Sequence, residues 1–307
     1  SHPYISKGQI RTVDVAVVGA LTIDYLNSNN PVPGGPPVYA GLAAASLDVK
    51  VKSFTAVGYD FPPSFIERLS GLGIELHIVR QHDRRSYQFK AVFKAGERML
   101  SLISEGPEIP LQALEEIDTD AVIASPVFRE IGFAHLSLLR NKTDMLVVDL
   151  QGFLRSVKND GLVVLKPPAS TEIISIADVL HCSEEEAVIL TGRKRASEIS
   201  GELRGLGVRT ALVGFAEGLL VVSERGSVFL KAQNNYVPAE TTGAGDMLTG
   251  AFTALLLKGL SAEEAAAKAL GYVNFWLRAP PPYRAASPPP GLPTDVQVVW
   301  RETAQTP

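Results

Sequence analysis

The stretch Glu240-Thr241-Thr242-Gly243-Ala244-Gly245-Asp246 combines residue types that phosphoryl chemistry requires. Two glycines flank an alanine, an acid follows at once, and Met247 to Leu257 continues as an apolar run rich in alanine and leucine. That order reads as a flexible loop turning into a buried helix. The first amides of a helix have no internal partners and lie at the positive end of its dipole. Glycine lets an anion approach such a backbone closely, which makes Gly243, Ala244 and Gly245 a candidate phosphate cradle. Asp246 falls in the first helical turn, where it repels a phosphate that is merely bound. Its place makes sense if it orients and deprotonates a hydroxyl that attacks phosphorus. Read from residue types alone, the same letters also fit an ordinary loop with an acid favouring the helix start. In either case the helix N-terminus is expected to hold Asp246 ionised and to weaken it as a base, so that its orientation matters more than its basicity.

The elements that must position this turn alternate between strands and helices. Val13 to Val18 is a β-branched run ending at Gly19, and Val49–Val57, Ile74–Val79, Ala121–Ala124, Met145–Val148 and Asp178–Cys182 read as further buried strands. Ser64–Leu72, Gly132–Arg140 and Ala262–Leu277 read as helices between or after them. Strands alternating with helices imply parallel βαβ units with right-handed crossovers, hence a three-layer α/β/α class with a mostly parallel central sheet. Open parallel sheets bind ligands beyond the C-terminal ends of their strands. Polar residues at such ends are therefore candidates: Asp24 beyond the first strand, and Asp149, Gln151 and Arg155 beyond Met145–Val148. As bare residues, Asp24 equally fits a turn, and the Asp149–Arg155 group a local salt bridge. Gly34-Gly35 opens an alanine-rich helix through Pro36 and Pro37, with Tyr39 inside it. Ser183 followed by Glu186 is a capping box, which as structure needs no further role. Gly214 to Gly218 reads as a tight turn between strands, Arg84–Phe93 and Glu97–Ile103 as a hairpin, and Pro280 to Pro293 as an extended, proline-rich segment.

Composition narrows the class. The chain has 307 residues, 46% hydrophobic and 20% charged, which suits one α/β enzyme domain spanning 1–307 and argues against disorder. A net charge of −4 gives no general attraction to nucleic acid or to an anionic membrane. Cys182 is the one cysteine, and the five histidines show no metal-binding spacing. Gly19 to Asp24 lacks the further glycines of a dinucleotide fingerprint, and neither a P-loop nor a G-x-S-x-G elbow is present. No apolar run reaches membrane-spanning length and the start has no signal-peptide pattern, so the reading is a soluble, cytoplasmic protein.

Thr241-Thr242-Gly243-Ala244-Gly245-Asp246, followed by a Gly-Ala-Phe helix, resembles the C-terminal signature of the ribokinase-like (PfkB-type) carbohydrate kinases. The resemblance extends from the strand at Val13 to the helix near Leu277. It implies ATP-dependent phosphorylation of a hydroxyl, with Asp246 as catalytic base and the Gly243-Ala244-Gly245 amides as anion hole. It implies sugar-binding roles for Asp24, Gly34 and Gly35, with Tyr39 standing where the family has Asn. It implies a β-lid over the substrate from about 25–37 and 84–104, whose exposed edge is compatible with a homodimer. Gln151 and Arg155 occupy a looser version of the family's Asp-x-Asn-x-Arg, and Gln151-Gly152-Phe153 resembles the archaeal inositol-kinase branch. Glu186 is implied to organise the water shell of the nucleotide's Mg2+. Gly214, Gly218, Thr242, Gly243, Gly245 and Asn274 are implied to border the nucleotide. Glu240 stands where the family has an Asp that in some members helps to hold a monovalent cation. The expected partners are small molecules: a sugar or polyol, with inositol favoured, or a nucleoside, for which Tyr39 and Phe153 offer rings to stack on a base. A sensor that kept the fold without turnover is the reading outside catalysis, and an intact Asp246 argues against it.

Overall fold

The computed structural model describes residues 12–94, 97–232, 240–279 and 296–303. In chain order, β1 (Asp14–Val18), β2 (Thr22–Leu26) and β3 (Pro31–Gly34) precede α1 (Pro36–Ala45) and β4 (Lys50–Gly58). There follow α2 (Pro63–Ser70), β5 (Ile74–Gln81), β6 (Tyr87–Lys94), β7 (Glu97–Ser104), β8 (Ala121–Ala124), α3 (Phe133–Arg140) and β9 (Met145–Asp149). A short α4 (Gln151–Leu154) leads to the hairpin β10 (Arg155–Val157) and β11 (Val163–Leu165), then α5 (Glu172–Ile176), β12 (Val179–Ser183) and α6 (Glu184–Thr191). The rest is α7 (Ala196–Gly205), β13 (Thr210–Phe215), β14 (Gly218–Ser223), β15 (Gly226–Ala232), α8 (Ala244–Leu257), α9 (Ala262–Trp276) and β16 (Val296–Thr303).

Ten strands form the main sheet in the order β16-β15-β14-β13-β12-β9-β8-β1-β4-β5. From β5 to β13 all neighbours run parallel, and β14, β15 and β16 add an antiparallel edge. Alternation along the strands explains the layers. Val15 and Val17 of β1 belong to one buried cluster with α1, α8 and α9, whereas Ala16 and Val18 belong to another with α3 and α7. A sheet apolar on both faces must be covered on both, which is the three-layer arrangement the sequence implies. The chain proceeds from β1 to β4 and β5 on one side, then from β8 to β9, β12 and β13 on the other. The point where the order reverses lies at β1 and β8, the position at which open α/β sheets take their ligands.

A second sheet, β3-β2-β6-β7, stands apart from the first. Its strands begin at Thr22 and Tyr87, slightly displaced from the expected lid limits of 25 and 84. Asp24 does not sit in a turn after β1. It lies in the middle of β2, paired with Val32 and Phe89. The sequence reading also lacked the β10–β11 hairpin, α7 and β16. Ala95-Gly96, the expected hairpin tip, and the proline-rich 280–293 fall outside the described residues. No described helix is long and apolar enough to cross a membrane.

Candidate active site

Gly243 is the N-cap of α8, with φ of 81°, a conformation that favours glycine. Space requires it as well: a Cβ at Gly243 would lie 2.2 Å from the ring of Tyr39, whose side chain is only 2% exposed. Tyr39 is thus a floor under the turn rather than a ring face offered to a base. The Ala244 amide donates to Thr241 O at 3.1 Å, so it is engaged within the turn. The Gly243, Gly245 and Asp246 amides have no hydrogen-bond partner among the described residues. Beside them Thr242 Oγ1 is buried and likewise unpartnered there. Free amides with an orphaned hydroxyl fit an incoming phosphoryl group. Of the three amides expected to form a cradle, that of Ala244 is engaged, and the neighbouring Asp246 amide is open among the described residues.

The Asp246 carboxylate receives its polar contacts on one oxygen. Oδ1 accepts from Ser125 Oγ at 3.3 Å and from Gln151 Nε2 at 3.4 Å. Oδ2 has no partner among the described residues. Burial, and next the Asp149 carboxylate, push the Asp246 pKa up to about 7, although His181, Arg155 and the Ser125 hydrogen bond oppose the rise. The helix dipole was expected to keep Asp246 firmly ionised. Desolvation by burial, beside a second carboxylate, is the larger effect.

Gln151 and Arg155 are not two independent donors for a ligand. Arg155 Nη1 donates to Val127 O at 2.8 Å and Nη2 to Gln151 Oε1 at 2.9 Å. Gln151 Nε2 is thereby turned toward Asp246 and toward Ser125 Oγ, 3.4 Å away. Arg155 thus braces Gln151 as well, and the guanidinium's three remaining N–H groups are not spoken for by these two bonds. Phe153, the second ring considered for base stacking, packs into the core on the α3 and α7 side of the sheet.

Asp24 is buried, and its Oδ1 accepts from Thr22 Oγ1 at 2.8 Å. A Cβ at Gly34 would lie 2.0 Å from Asp24 Oδ2, so the first glycine of the pair exists to admit this carboxylate. Gly35, with φ of 90°, caps α1 and presses against Ala20 O. Burial pushes the Asp24 pKa up to about 6, against the Thr22 hydrogen bond and the charges of Arg98 and Arg155. Strand alternation places Arg98 of β7 on the same face of the second sheet as Asp24 and Phe89.

Glu186 caps its own helix: Oε2 accepts from Ser183 N at 2.8 Å and its amide donates to Ser183 Oγ at 3.3 Å. Burial and then Asp149 raise its pKa. No group of three or more acidic, histidine or cysteine side chains among the described residues could hold a metal by itself. Gly214 and Gly218 flank the β13–β14 turn, where a Cβ at Gly218 would lie 2.2 Å from Leu230 O. Asn274 is half-buried on α9.

Three participants were not singled out from sequence. Ser125 follows β8 directly, and His181 lies near the C-terminal end of β12, so the strand-end rule applied to every strand would have found both. Glu130 is fully buried and accepts from the Ala20, Val127 and Phe128 amides at 3.0, 2.6 and 2.9 Å. It fastens the loop that carries Ser125 to the end of β1, and no local pattern marks it.

Residues 22–272 match the pfkB family carbohydrate kinase model. The chain belongs to that family. This PfkB chain is a phosphotransferase acting on an alcohol group. It is 24% identical over 266 residues to a cytidine kinase of Thermococcus kodakarensis, covering 82% of this chain and 91% of that protein. It is 28% identical to a ribokinase of Haemophilus influenzae, over 76% of each chain. In fold it is similar to a pyrophosphate-dependent kinase of the ribokinase family complexed with a pyrophosphate analogue and myo-inositol. That pair has a TM-score of 0.78 and 22% identity, covering 88% of this chain and 97% of the other. It is also similar to a fructokinase of Vibrio cholerae bound to fructose, ADP and potassium, with a TM-score of 0.74 and 18% identity over 90% and 96% of the two chains.

Proposed function

We propose that this PfkB kinase transfers the terminal phosphoryl group of ATP to a hydroxyl of a small polyol or sugar, with an inositol-like ring favoured. The observation that carries this reading is the Asp246 carboxylate. It is poised near neutrality, held on Oδ1 by Ser125 and Gln151, open at Oδ2, and set directly beside unpartnered amides. Asp246 Oδ2 accepts the proton of the attacking hydroxyl as the bond to phosphorus forms and the bond to the leaving ADP oxygen breaks. The Gly243, Gly245 and Asp246 amides and Thr242 Oγ1 stabilise charge on the transferring group. Ser125 and Gln151 fix the carboxylate's direction, and Arg155 fixes Gln151.

Asp24, admitted by Gly34, accepts from hydroxyls of the acceptor. A buried carboxylate of this kind rejects analogues lacking the hydroxyl, because its lone pairs are then left unmatched. Glu186 would hold a donor-bound Mg2+ through one of the waters such an ion keeps, and the ion would supply charge neutralisation to the phosphates. The nucleotide base lies toward the Gly214–Gly218 turn and Asn274. The second sheet covers the acceptor as a lid.

A nucleoside acceptor is the second reading, favoured by the likeness to the cytidine kinase. Against it stands the burial of Tyr39 beneath Gly243, which withdraws that ring from stacking on a base. The test is ADP release with myo-inositol, ribose, fructose, 2-keto-3-deoxygluconate, cytidine and inosine at equal concentration, repeated with pyrophosphate as donor. The polyol is expected to give the highest kcat/KM with ATP. A nucleoside in first place overturns the acceptor assignment, and preference for pyrophosphate overturns the donor.

A further inference from the structure

Beneath the phosphate turn lies a buried ion pair that the reading above does not use. His181 Nδ1 is 2.6 Å from Asp149 Oδ2, with the two residues 5% and 2% exposed. Asp149 is itself fixed, since its Oδ1 accepts from the Gln151 amide at 2.9 Å. The backbone closes the unit from the other side, where the Leu150 amide donates to His181 O at 3.0 Å. The Cε1 edge of the ring faces the turn: a Cβ at Gly245 would lie 2.8 Å from His181 Cε1, 3.6 Å from Nε2 and 3.8 Å from Nδ1. Nε2 has no hydrogen-bond partner among the described residues. Unlike Thr242 Oγ1, this nitrogen is not sealed from solvent, so it is open to a ligand beside the Gly245 amide, which is also unmatched among the described residues.

We propose that His181, gripped by Asp149, is the cation beneath the phosphoryl pocket and presents Nε2–H to the anion that the Gly243, Gly245 and Asp246 amides collect. The charge inventory of the site calls for such a group. Asp149, Glu186 and Asp246 bring three carboxylates to a place that must also accept a polyanion. Arg155 reaches them only while bound to Val127 and Gln151. Burial works against a charged His181 ring, but the Asp149 contact, with Glu186 and Asp246 beyond it, raises its affinity for the proton overall. With Nδ1–H given to Asp149, the only hydrogen the protonated ring has left to donate is on Nε2. The need for Gly245 follows too: any side chain there would strike the ring and screen it from the ligand. The pair resembles the carboxylate–histidine units that orient a ring elsewhere in proteins, here directed at a phosphoryl group rather than a metal.

This inference rests on the phosphoryl-transfer reading, and the experiment separates the two. Binding of pyrophosphate, with magnesium present, is measured by calorimetry on wild type, His181→Gln, His181→Lys and Asp149→Asn, alongside donor and acceptor KM. Losing one charge-assisted hydrogen bond should weaken pyrophosphate and raise the donor KM about 10-fold to 100-fold in His181→Gln. Acceptor KM should change much less. Lysine at 181 should recover most of the loss because it restores the cation, and Asp149→Asn should shift donor KM in the same direction as His181→Gln. A folded His181→Gln with unchanged pyrophosphate affinity and donor KM overturns the inference. If His181→Gln does not fold, Asp149→Asn decides by the same criterion. If wild type turns over no acceptor, the proposed function fails, and pyrophosphate binding still reads His181 on its own.

Discussion

Arg155 Nη2 donates to Gln151 Oε1 at 2.9 Å, and that contact turns the other end of the Gln151 amide toward Asp246. The sequence offers both residues as ligand donors, four apart. In the fold one braces the other, so their effects on catalysis are coupled. Arg155→Met and Gln151→Met are each expected to lower kcat about 10-fold, with a smaller change in acceptor KM. The double variant should lose scarcely more than either single one, because both remove the same positioning of Asp246. Steady-state kinetics on the four proteins measures the coupling. Additive losses would mean that Arg155 acts on the ligand directly.

Raised carboxyl pKa values give the ligand-free protein a distinctive pH response. Asp246, at about 7 in the fold, and Asp24, at about 6, both bind protons more tightly folded than unfolded. Their contribution to stability is therefore full below the ordinary carboxylate range and is lost as pH rises through the folded values. Compared with wild type, Asp246→Asn should gain relative stability between about pH 4 and 7, the interval from the ordinary carboxylate value to the folded one, read as the difference in urea midpoint across that range. The activity of wild type runs the other way, with kcat/KM rising through about pH 7 as the base ionises. A pH-independent stability difference would show that Asp246 carries no raised pKa.

The fold was legible because its signals are local and repeated. β1, β4, β5, β8, β9 and β12 are short β-branched runs that both faces of a parallel sheet require, and the helix starts carry prolines or capping boxes at Pro36, Ser183 and Ser261. Asp246 and its glycines were legible for the same reason. What escaped was whatever depends on distant segments meeting. Ser125 reaches Asp246 across 121 positions, Asp149 meets His181 across 32, and Glu130 holds Ala20 across 110. The bracing of Gln151 by Arg155 was not legible because its acceptors, Val127 O and Gln151 Oε1, are settled only by the fold. The charge state of Asp246 was misjudged because a helix dipole is visible in sequence and desolvation is not.

Close contact between α1 and α8 fixes the helix that follows the Gly243–Gly245 turn. A Cβ at Gly250 would lie 2.3 Å from Ala40 O, a backbone atom that cannot swing aside. Gly250→Ala should therefore destabilise the protein by about 1–3 kcal/mol through overpacking, measured by urea unfolding. A neutral result would mean that the two helices separate freely at this crossing.

Glu186 tests the role assigned to the metal's water shell. Glutamine retains an acceptor for the Ser183 amide, now 2.8 Å from Glu186 Oε2, so the helix cap survives while the charge is lost. Glu186→Gln should raise the magnesium concentration needed for half-maximal rate and leave the melting temperature nearly unchanged. An unaltered magnesium titration would assign Glu186 to capping alone.

Asp246, as the proposed base, is the residue on which phosphoryl transfer depends most directly. The most direct measurement is single-turnover phosphorylation of the preferred acceptor by Asp246→Asn at saturating ATP, with nucleotide affinity measured on the same protein. The fold and ATP affinity should be retained while the transfer rate falls by about 10²-fold or more, as expected on removing a positioned general base. Transfer at the wild-type rate in Asp246→Asn would contradict the account.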